Sequence, residues 1–179
     1  ALGRKSPGKL NFGSAGIGTT IHLAGEMFKS MAGVYAVHVP YKSAGLAMTD
    51  VMAGSIQMMF APIVVMHPMA KAGKVRAIGV TSARRSVLAP EIPAIAESLP
   101  GFEVSGWYGL LGPAATPRAV VERINDETSR GVQADTFRDR VRAQGLEPAV
   151  RSPAESAAFI REDIQRWSRV IREAGIKPE

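Results

Sequence analysis

Residues 11–23, N-F-G-S-A-G-I-G-T-T-I-H-L, contain the residue types from which proteins build anion sites. A short extended segment runs into three glycines, and two threonines then open a predicted amphipathic helix. Glycines let the backbone turn sharply and approach a ligand, while a helix start presents unpaired N–H groups and the positive end of a macrodipole. We call residues 13–20 the glycine loop. It is a candidate site for a carboxylate, phosphate or sulfate, and the alternative is a tight strand-to-helix turn without a ligand.

The glycine loop departs from both common nucleotide-binding motifs. Gly13 and Gly18 have the spacing of a G-x-x-x-x-G-K-[ST] loop, but Thr19 stands where that motif has its phosphate-binding lysine. The dinucleotide fingerprint G-x-G-x-x-G begins at Gly16 and ends on Ile21 instead of glycine. A small carboxylate fits what remains.

Composition places the chain among ordinary globular proteins. Its 179 residues allow one domain or two small lobes, with 46% hydrophobic and 21% charged residues. The net charge of +6 suits anionic ligands; scattered arginines with few aromatics among them argue against nucleic acid. No cysteine is present, so disulfides and thiolate metal sites are excluded, and no apolar run approaches a membrane span. Residues 1–9 read like the end of a preceding element.

The hydrophobic pattern predicts alternating strands and helices over the first half of the chain. Strands are expected at 10–12, 35–39, 56–60 and 75–81, with helices at 19–32, 44–53 and 62–72 between them. This β-α-β-α-β-α-β order predicts a parallel sheet with helices on its faces. Ligands of such sheets bind beyond the carboxyl ends of the strands, where the glycine loop lies.

The second half is predicted to be an irregular connector followed by helices. Proline and arginine mark the connector at 82–101, and 104–111 is an apolar extended segment, interpreted as a crossing strand between lobes. Helices are predicted at 117–131 and 136–144, a weak strand at 147–150, and a last helix behind the capping box of Ser152 and Glu155. The helix at 117–131 and the last helix each have an apolar stripe that is predicted to be buried. The two stripes comprise Val120, Val121, Ile124, Ile160, Ile164, Trp167 and Ile171.

The remaining polar residues give little support for catalysis. His22, His38 and His67 do not have metal-ligand spacing; His22 could hydrogen-bond the loop or a ligand, and His38 is interpreted as a packed residue. Lys42 could pair with a carboxylate or be solvated. No serine sits in a G-x-S-x-G elbow and the acidic residues are dispersed, so we predict no catalytic residue, no metal and no cofactor.

Several long motifs resemble one family in the same order along nearly the whole chain. They are N-F-G-S-A-G-I-G-T-T-I-H-L-A-G-E at 11–26, V-H-V-P-Y-K at 37–42, K-A-G-K-V-R-A-I-G-V-T-S at 71–82, P-E-I-P-A-I-A-E at 90–97, G-W-Y-G-L-L-G-P-A-A-T-P at 106–117 and R-W-S-R-V-I-R-E-A-G-I-K at 166–177. Together they resemble the periplasmic solute-binding receptors of tripartite tricarboxylate transporters, the Bug-type proteins of Bordetella-like bacteria.

The resemblance implies an α/β fold of the type II periplasmic-binding-protein class, in which two lobes close on a small carboxylate. It implies that residues 1–105 form the second lobe, as a parallel-rich sheet with flanking helices. Residues 106–179 would then be the crossover strand and C-terminal helices that complete the first lobe. In the family an N-terminal stretch builds most of that first lobe and supplies a second glycine-rich ligand loop, and on this resemblance the chain lacks it.

The family's ligand residues can be carried over only where this sequence matches the motif. The matching positions of the loop are Ser14, Ala15, Gly16, Gly18, Thr19 and Thr20, whose amides and hydroxyls would hold a carboxylate directly or through water. His22 matches a histidine expected to steady the loop, and Tyr41 and Lys42 match a loop that borders the cleft. Many relatives have aspartate where this chain has Ala61, and its absence favours a ligand without an amino group.

The implied function is a periplasmic receptor that delivers a mono-, di- or tricarboxylate to membrane permease subunits, without nucleic acid and without inserting into the membrane. Two alternatives come from other classes: an α/β enzyme that acts on a small anionic substrate, and the effector-binding domain of a regulator such as the LysR type. The enzyme would need a nucleophile or a general acid or base, and the regulator a DNA-binding segment; the sequence shows neither.

Overall fold

A computed structural model of the chain describes Gly3 and residues 8–176. The interpretation of residues 1–9 as the end of a preceding element falls mostly outside these residues. Contacts divide the chain into two units, one of Ala1–Gly106 with Trp167–Glu179 and one of Trp107–Arg166. The lobe boundaries expected from the resemblance, 1–105 and 106–179, remain a prediction.

A three-stranded parallel sheet lies at the centre of the first unit. Its strands are β1 (Asn11–Ser14), β2 (Val37–Pro40) and β3 (Met58–Met59), in the order β2-β1-β3. Helices α1 (Thr20–Ala32), α2 (Ala44–Ala53) and α3 (Ile63–Lys71) follow the strands in turn. The predicted parallel α/β alternation is confirmed over this part of the chain, and β1 has a hydrogen-bonded neighbour on each side.

Local chemistry sets the ends of the first two helices. Thr19 caps α1 by accepting the His22 N–H, and Gly33 ends the helix at φ 60°. Ser43 caps α2 by accepting the Leu46 N–H, and Gly54 ends it at φ 79°. Both left-handed ends favour glycine because a Cβ would strain the backbone there.

The predicted strand at 75–81 is wrong. In the described structure this segment makes a single parallel bridge, from Val80 to Ala94, and Ile78 is 70% exposed. Val80 thus pairs with the connector and not with an edge of the three-stranded sheet. The predicted strands at 104–111 and 147–150 are wrong too, since no residue of either segment pairs in a described sheet, and Tyr108 and Leu110 are 87% and 76% exposed.

The connector at 82–101 is irregular, as predicted, but it contributes to the core. Ala89, Ile92 and Ala94 are buried, and a short 3-10 helix spans Ile95–Glu97. The connector leads into Phe102, which is fully buried and packs with Ala24, Val104, Phe28 and Trp167 among others. Part of the core of the first unit is therefore formed by an irregular segment and not by a regular strand or a long helix.

The second unit consists of helices α4 (Arg118–Gln133) and α5 (Asp135–Ala143) and most of α6 (Pro153–Glu173). The capping box of α6 is confirmed: Ser152 N–H donates to Glu155 Oε2 at 2.8 Å, and Glu155 N–H donates to Ser152 Oγ at 3.2 Å. None of the helices described is long and apolar enough to cross a bilayer.

The apolar stripes of α4 and α6 were predicted to be buried, but neither helix has a fully buried residue in the described structure. Val120, Ile124 and Ile164 are 45%, 44% and 60% exposed within the described chain. A helical stripe becomes buried only where another element covers it, and periodicity alone does not show whether one does. Trp167, by contrast, is partly buried against the core of the first unit.

Candidate functional site

The sequence-predicted site residues gather at one edge of the sheet. Strand β1 ends at Ser14 and runs into the glycine loop, β2 is followed by Tyr41 and Lys42, and Ala61 lies two residues beyond β3. Parallel strands present their carboxyl ends at the same edge, so the three segments are neighbours. The Tyr41 N–H donates to Ser14 O at 3.0 Å and joins the β2 segment to the loop.

The glycine loop turns by means of two left-handed glycines and one threonine. Gly16 has φ 125° and Gly18 φ 76°, conformations that side chains with a Cβ rarely adopt. Thr19 Oγ1 donates to Gly16 O at 2.7 Å, and Thr19 N–H reaches the same oxygen at 3.4 Å. The loop thus folds back on itself immediately before α1 begins.

Four amides of this region are left as unused donors. The Gly16 and Gly18 N–H groups bind side chains of the protein, but those of Ala15, Ile17, Thr20 and Ile21 have no hydrogen-bond partner among the described residues. Two of the four belong to the first turn of α1, where the macrodipole is positive. The arrangement favours an anion over a cation or a neutral molecule.

The hydroxyl of Ser14 serves the loop itself. Ser14 is fully buried, and its Oγ accepts the Gly16 N–H at 3.1 Å and lies 3.0 Å from Gly16 O. His38 Nε2 is 2.6 Å from the same oxygen. That distance resembles a nucleophile–base pair, but complete burial of Ser14 keeps a substrate from its Oγ. The pair therefore holds the backbone in place.

His22 fixes the other end of the loop, as the resemblance implied. Its Nδ1 accepts the Gly18 N–H at 3.1 Å, so the ring proton is on Nε2, which lies 3.7 Å from Glu26 Oε1. Glu26 in turn receives Lys29 Nζ at 2.8 Å on both oxygens. Burial lowers the pKa of His22, Lys29 lowers it further, and Glu26 opposes the change.

The sequence interpretation of His38 as a packed residue is confirmed, but it missed the contact of this side chain with Ser14 of the loop. Its ring packs against those of Phe12 and His22, with centroid distances of 4.9 and 3.9 Å. Burial, then the nearby His22 and Lys29, lowers its pKa to about 4. His38 lies opposite Phe12 in the β1–β2 register, one residue before the glycine loop begins. The sequence does not show this register, so it could not indicate that His38 is close to the loop.

Gly25 is a second residue that sequence reasoning missed. It lies in α1, where glycine costs helix stability, yet a Cβ at this position would overlap the Phe12 ring. The glycine lets α1 approach β1 closely. It performs the packing role that the third glycine of a dinucleotide fingerprint has, four residues after the position where that motif would place it.

The remaining predicted residues border the loop without joining its hydrogen bonds through their side chains. Tyr41 donates its hydroxyl proton to Asp50 Oδ2 at 2.6 Å, and this hydrogen bond raises the pKa of Tyr41. Lys42 is exposed and makes no ion pair with the described residues. Ala61 is half-buried. No group of histidines, aspartates and glutamates in the described chain could hold a metal ion.

Parallel α/β units bind ligands at the carboxyl edge of the sheet, which is where the unused amides lie. The comparisons with known proteins agree. The sequence pattern of the tripartite tricarboxylate transporter family receptors matches residues 1–176, and the chain belongs to that family.

Individual relatives support this assignment. A UPF0065 protein from the tcbD-tcbE intergenic region of Pseudomonas sp. strain P51 is 40% identical over 172 residues, which cover 95% of this chain and 51% of the relative. An R. palustris protein solved with adipate matches with a TM-score of 0.85 at 31% identity, over 99% of this chain and 60% of that one. MatC from Rhodopseudomonas palustris with bound malate matches with a TM-score of 0.75 at 30% identity, over 92% and 57%.

The periplasmic-binding-protein fold expected from the sequence is confirmed by the structure of the periplasmic binding protein BugD, which matches with a TM-score of 0.80 at 29% identity, over 98% of this chain and 60% of that one. The chain spans about half the length of the first curated relatives it matches, 51% and 53%.

Proposed function

We propose that the chain captures a small carboxylate at the glycine loop, as part of an extracytoplasmic receptor for a tripartite transporter. The observation that carries the proposal is the set of four unused amides at Ala15, Ile17, Thr20 and Ile21. Hydrogen bonds from such donors to a carboxylate are charge-assisted and stronger than those between neutral groups. A carboxylate would satisfy donors that otherwise depend on water.

Charge and relatives support the same ligand class. Residues 107–166 contain equal numbers of basic and acidic residues, so the net charge of +6 belongs to the unit that carries the loop. The two R. palustris relatives were solved with the dicarboxylates adipate and malate. We therefore infer a mono-, di- or tricarboxylate for this chain. An alanine at position 61, instead of a carboxylate, favours a ligand without an amino group.

The proposed role is binding and delivery, with no bond made or broken. The partner that receives the ligand would be a membrane permease, and the receptor would work in the periplasm. In the proposed lobe assignment, residues 1–105 form one ligand-binding lobe and 106–179 contribute to the other, with closure between lobes retaining the ligand. No cofactor and no metal enters this proposal.

A proline substitution can remove one of the four amides without disturbing the fold. Thr20 is the first residue of α1, a position that tolerates proline, and Thr19 at φ −67° and ψ 154° has the extended conformation that a following proline requires. Thr20→Pro removes the amide proton and the hydroxyl, whereas the matched control Thr20→Ala removes only the hydroxyl. Affinity for adipate, malate and citrate would be measured by calorimetric titration of all three proteins.

Thr20→Pro should weaken binding by about 10-fold or more, the value of a charge-assisted hydrogen bond, and Thr20→Ala should bind within about 3-fold of the original. Equal affinity of the proline variant and the original protein would contradict recognition by these amides. Proton NMR of each acid after incubation with the protein checks the absence of catalysis. Any turnover would favour the enzyme alternative.

A further inference from the structure

We propose that His38 is a positioning residue of the glycine loop, which it holds through Ser14 in the conformation that presents the four unused amides. His22 holds the opposite end of the same turn, and the stacked rings join the two anchors. The expected effect on affinity rests on the proposed function. The effect on the loop does not.

The first step is the chain of contacts from His38 to the backbone. His38 Nε2 lies 2.6 Å from Ser14 Oγ, and that oxygen accepts the Gly16 N–H at 3.1 Å. Ser14 is fully buried, so water cannot replace either partner. Loss of the imidazole nitrogen would leave a buried hydroxyl with one partner fewer, which costs free energy and loosens the turn.

His22 and His38 each act on one glycine amide of the loop, at opposite ends of the turn. His22 Nδ1 holds the Gly18 N–H, and His38 acts on the Gly16 N–H through Ser14. The two glycine amides are thus turned towards protein acceptors. Because the Gly16 and Gly18 N–H groups point inwards, the intervening Ile17 N–H is left without a partner in the described structure.

The stacked imidazole rings connect His22 and His38. The ring centres of His22 and His38 are 3.9 Å apart with an angle of 18° between the planes, and the Phe12 ring packs against both, 4.9 Å from His38 and 6.3 Å from His22. The charged and titratable groups that act on the pair are on α1: Lys29 disfavours a proton on either ring, and Glu26 faces His22. A neutral pair keeps the Gly18 bond, since a proton on His22 Nδ1 would displace it.

The test separates hydrogen bonding from packing. His38→Phe keeps an aromatic ring against Phe12 and His22 but removes the nitrogen, whereas His38→Gln restores a polar group at the Nε2 position. His67→Phe is the matched control, because His67 lies in α3 and pairs with Glu91 at 2.6 Å, and it makes no hydrogen bond to the glycine loop in the described structure. Amide hydrogen exchange of Gly16 and Gly18 is measured by NMR without ligand, and dissociation constants for adipate and malate by calorimetry.

In His38→Phe, exchange at Gly16 should rise by about 10-fold, with a smaller rise at Gly18 because His22 still holds it. Affinity should fall by a similar factor. His38→Gln should recover most of both, and His67→Phe should match the original protein. Unchanged exchange at Gly16 in His38→Phe, or a glutamine variant no better than phenylalanine, would overturn the proposal.

A double-mutant cycle with Ser14→Ala keeps the test valid if one variant is unstable. If His38 acts through Ser14, the double variant should exchange at Gly16 no faster than the worse single variant, whereas independent effects would multiply. Multiplied effects would contradict the proposal. If the original protein binds neither acid while Gly16 exchange still rises in His38→Phe, the proposed function fails and the positioning role stands.

Discussion

The imidazole rings of His22 and His38 are stacked at 3.9 Å, and each ring controls one glycine amide of the loop beside it. A residue of α1 and a residue of β2 thereby act on the two ends of one turn. Burial lowers the pKa of both rings, which keeps them neutral in the pH range where His22 must accept a hydrogen bond.

The chain should lose stability as the pH falls from 7 to 4. The pKa of His38 is about 4 in the folded protein and about 6.5 in the unfolded chain, so the unfolded chain binds more protons between these values. Stability is therefore fully present above pH 6.5 and falls as the pH approaches 4. With allowance for partial exposure of the ring, His38 should contribute on the order of 2 kcal/mol to this loss.

Urea unfolding at several pH values measures this slope, with His38→Phe as the comparison. The phenylalanine variant cannot titrate at position 38, so its stability should depend less steeply on pH between 4 and 6.5. Identical slopes for the two proteins would show that His38 does not carry the effect.

Gly25→Ala should destabilise the protein by about 1–3 kcal/mol, because the new methyl group overlaps the Phe12 ring between α1 and β1. Gly131→Ala is the matched control in α4, where no atom lies within 4 Å of the added Cβ. It should be neutral or stabilise by up to about 1 kcal/mol, since alanine favours helix. Thermal unfolding of both variants decides, and equal behaviour of the two would show that α1 does not need its glycine.

Ser152→Ala should destabilise α6 by about 1 kcal/mol, because the residue accepts the Glu155 N–H and positions the Glu155 carboxylate on its own amide. The control Ser168→Ala changes an exposed residue inside the same helix and should have little effect or a small stabilising one. Circular dichroism during urea unfolding compares them. A larger loss in the control would contradict the role of the cap.

Glu97 should titrate near pH 2, since hydrogen bonds from Arg85 and from the Ala94 N–H lower its pKa. Arg85→Met should raise that pKa towards the ordinary value of 4.5. The neighbouring substitution Arg84→Met should leave it near 2, because Arg84 makes no side-chain ion pair among the described residues. Carbon-13 NMR of the glutamate side chains measures each titration, and an unchanged Glu97 in Arg85→Met would rule out the ion pair as its main cause.

Local chemistry made the elements around the loop predictable. Helices α1 and α2 each begin after a threonine or serine cap and end at a glycine. Each cap makes its hydrogen bond to a residue only a few positions away, so the helix ends can be recognised in the sequence. The glycine loop was predictable for the same reason, because Gly16, Gly18 and Thr19, which form its turn, are close together in the sequence.

The features that the sequence did not predict depend on contacts between residues that are far apart in the chain. His38 becomes a site residue only because β2 pairs with β1 in a register that sets it opposite Phe12, and Gly25 matters only because that ring lies under α1. The apolar segment 75–81 was predicted to be a strand, but in the described structure it makes one bridge and does not pair with the sheet. Exposed Val120 and Ile164 show the same gap, since periodicity identifies an apolar face without identifying its cover.

The donors of the glycine loop are peptide groups, which every amino acid except proline supplies in the same form. Point mutations can therefore replace Ala15, Ile17 or Ile21 by many other residues and leave those donors intact. The substitutions that would disturb these donors are those that change the backbone shape, at the two left-handed glycines, Thr19 and the histidine pair. In the proposed binding mode, proteins of this kind could differ at these side chains, and in the rest of the ligand they accept, and still present the same amide donors to an anion.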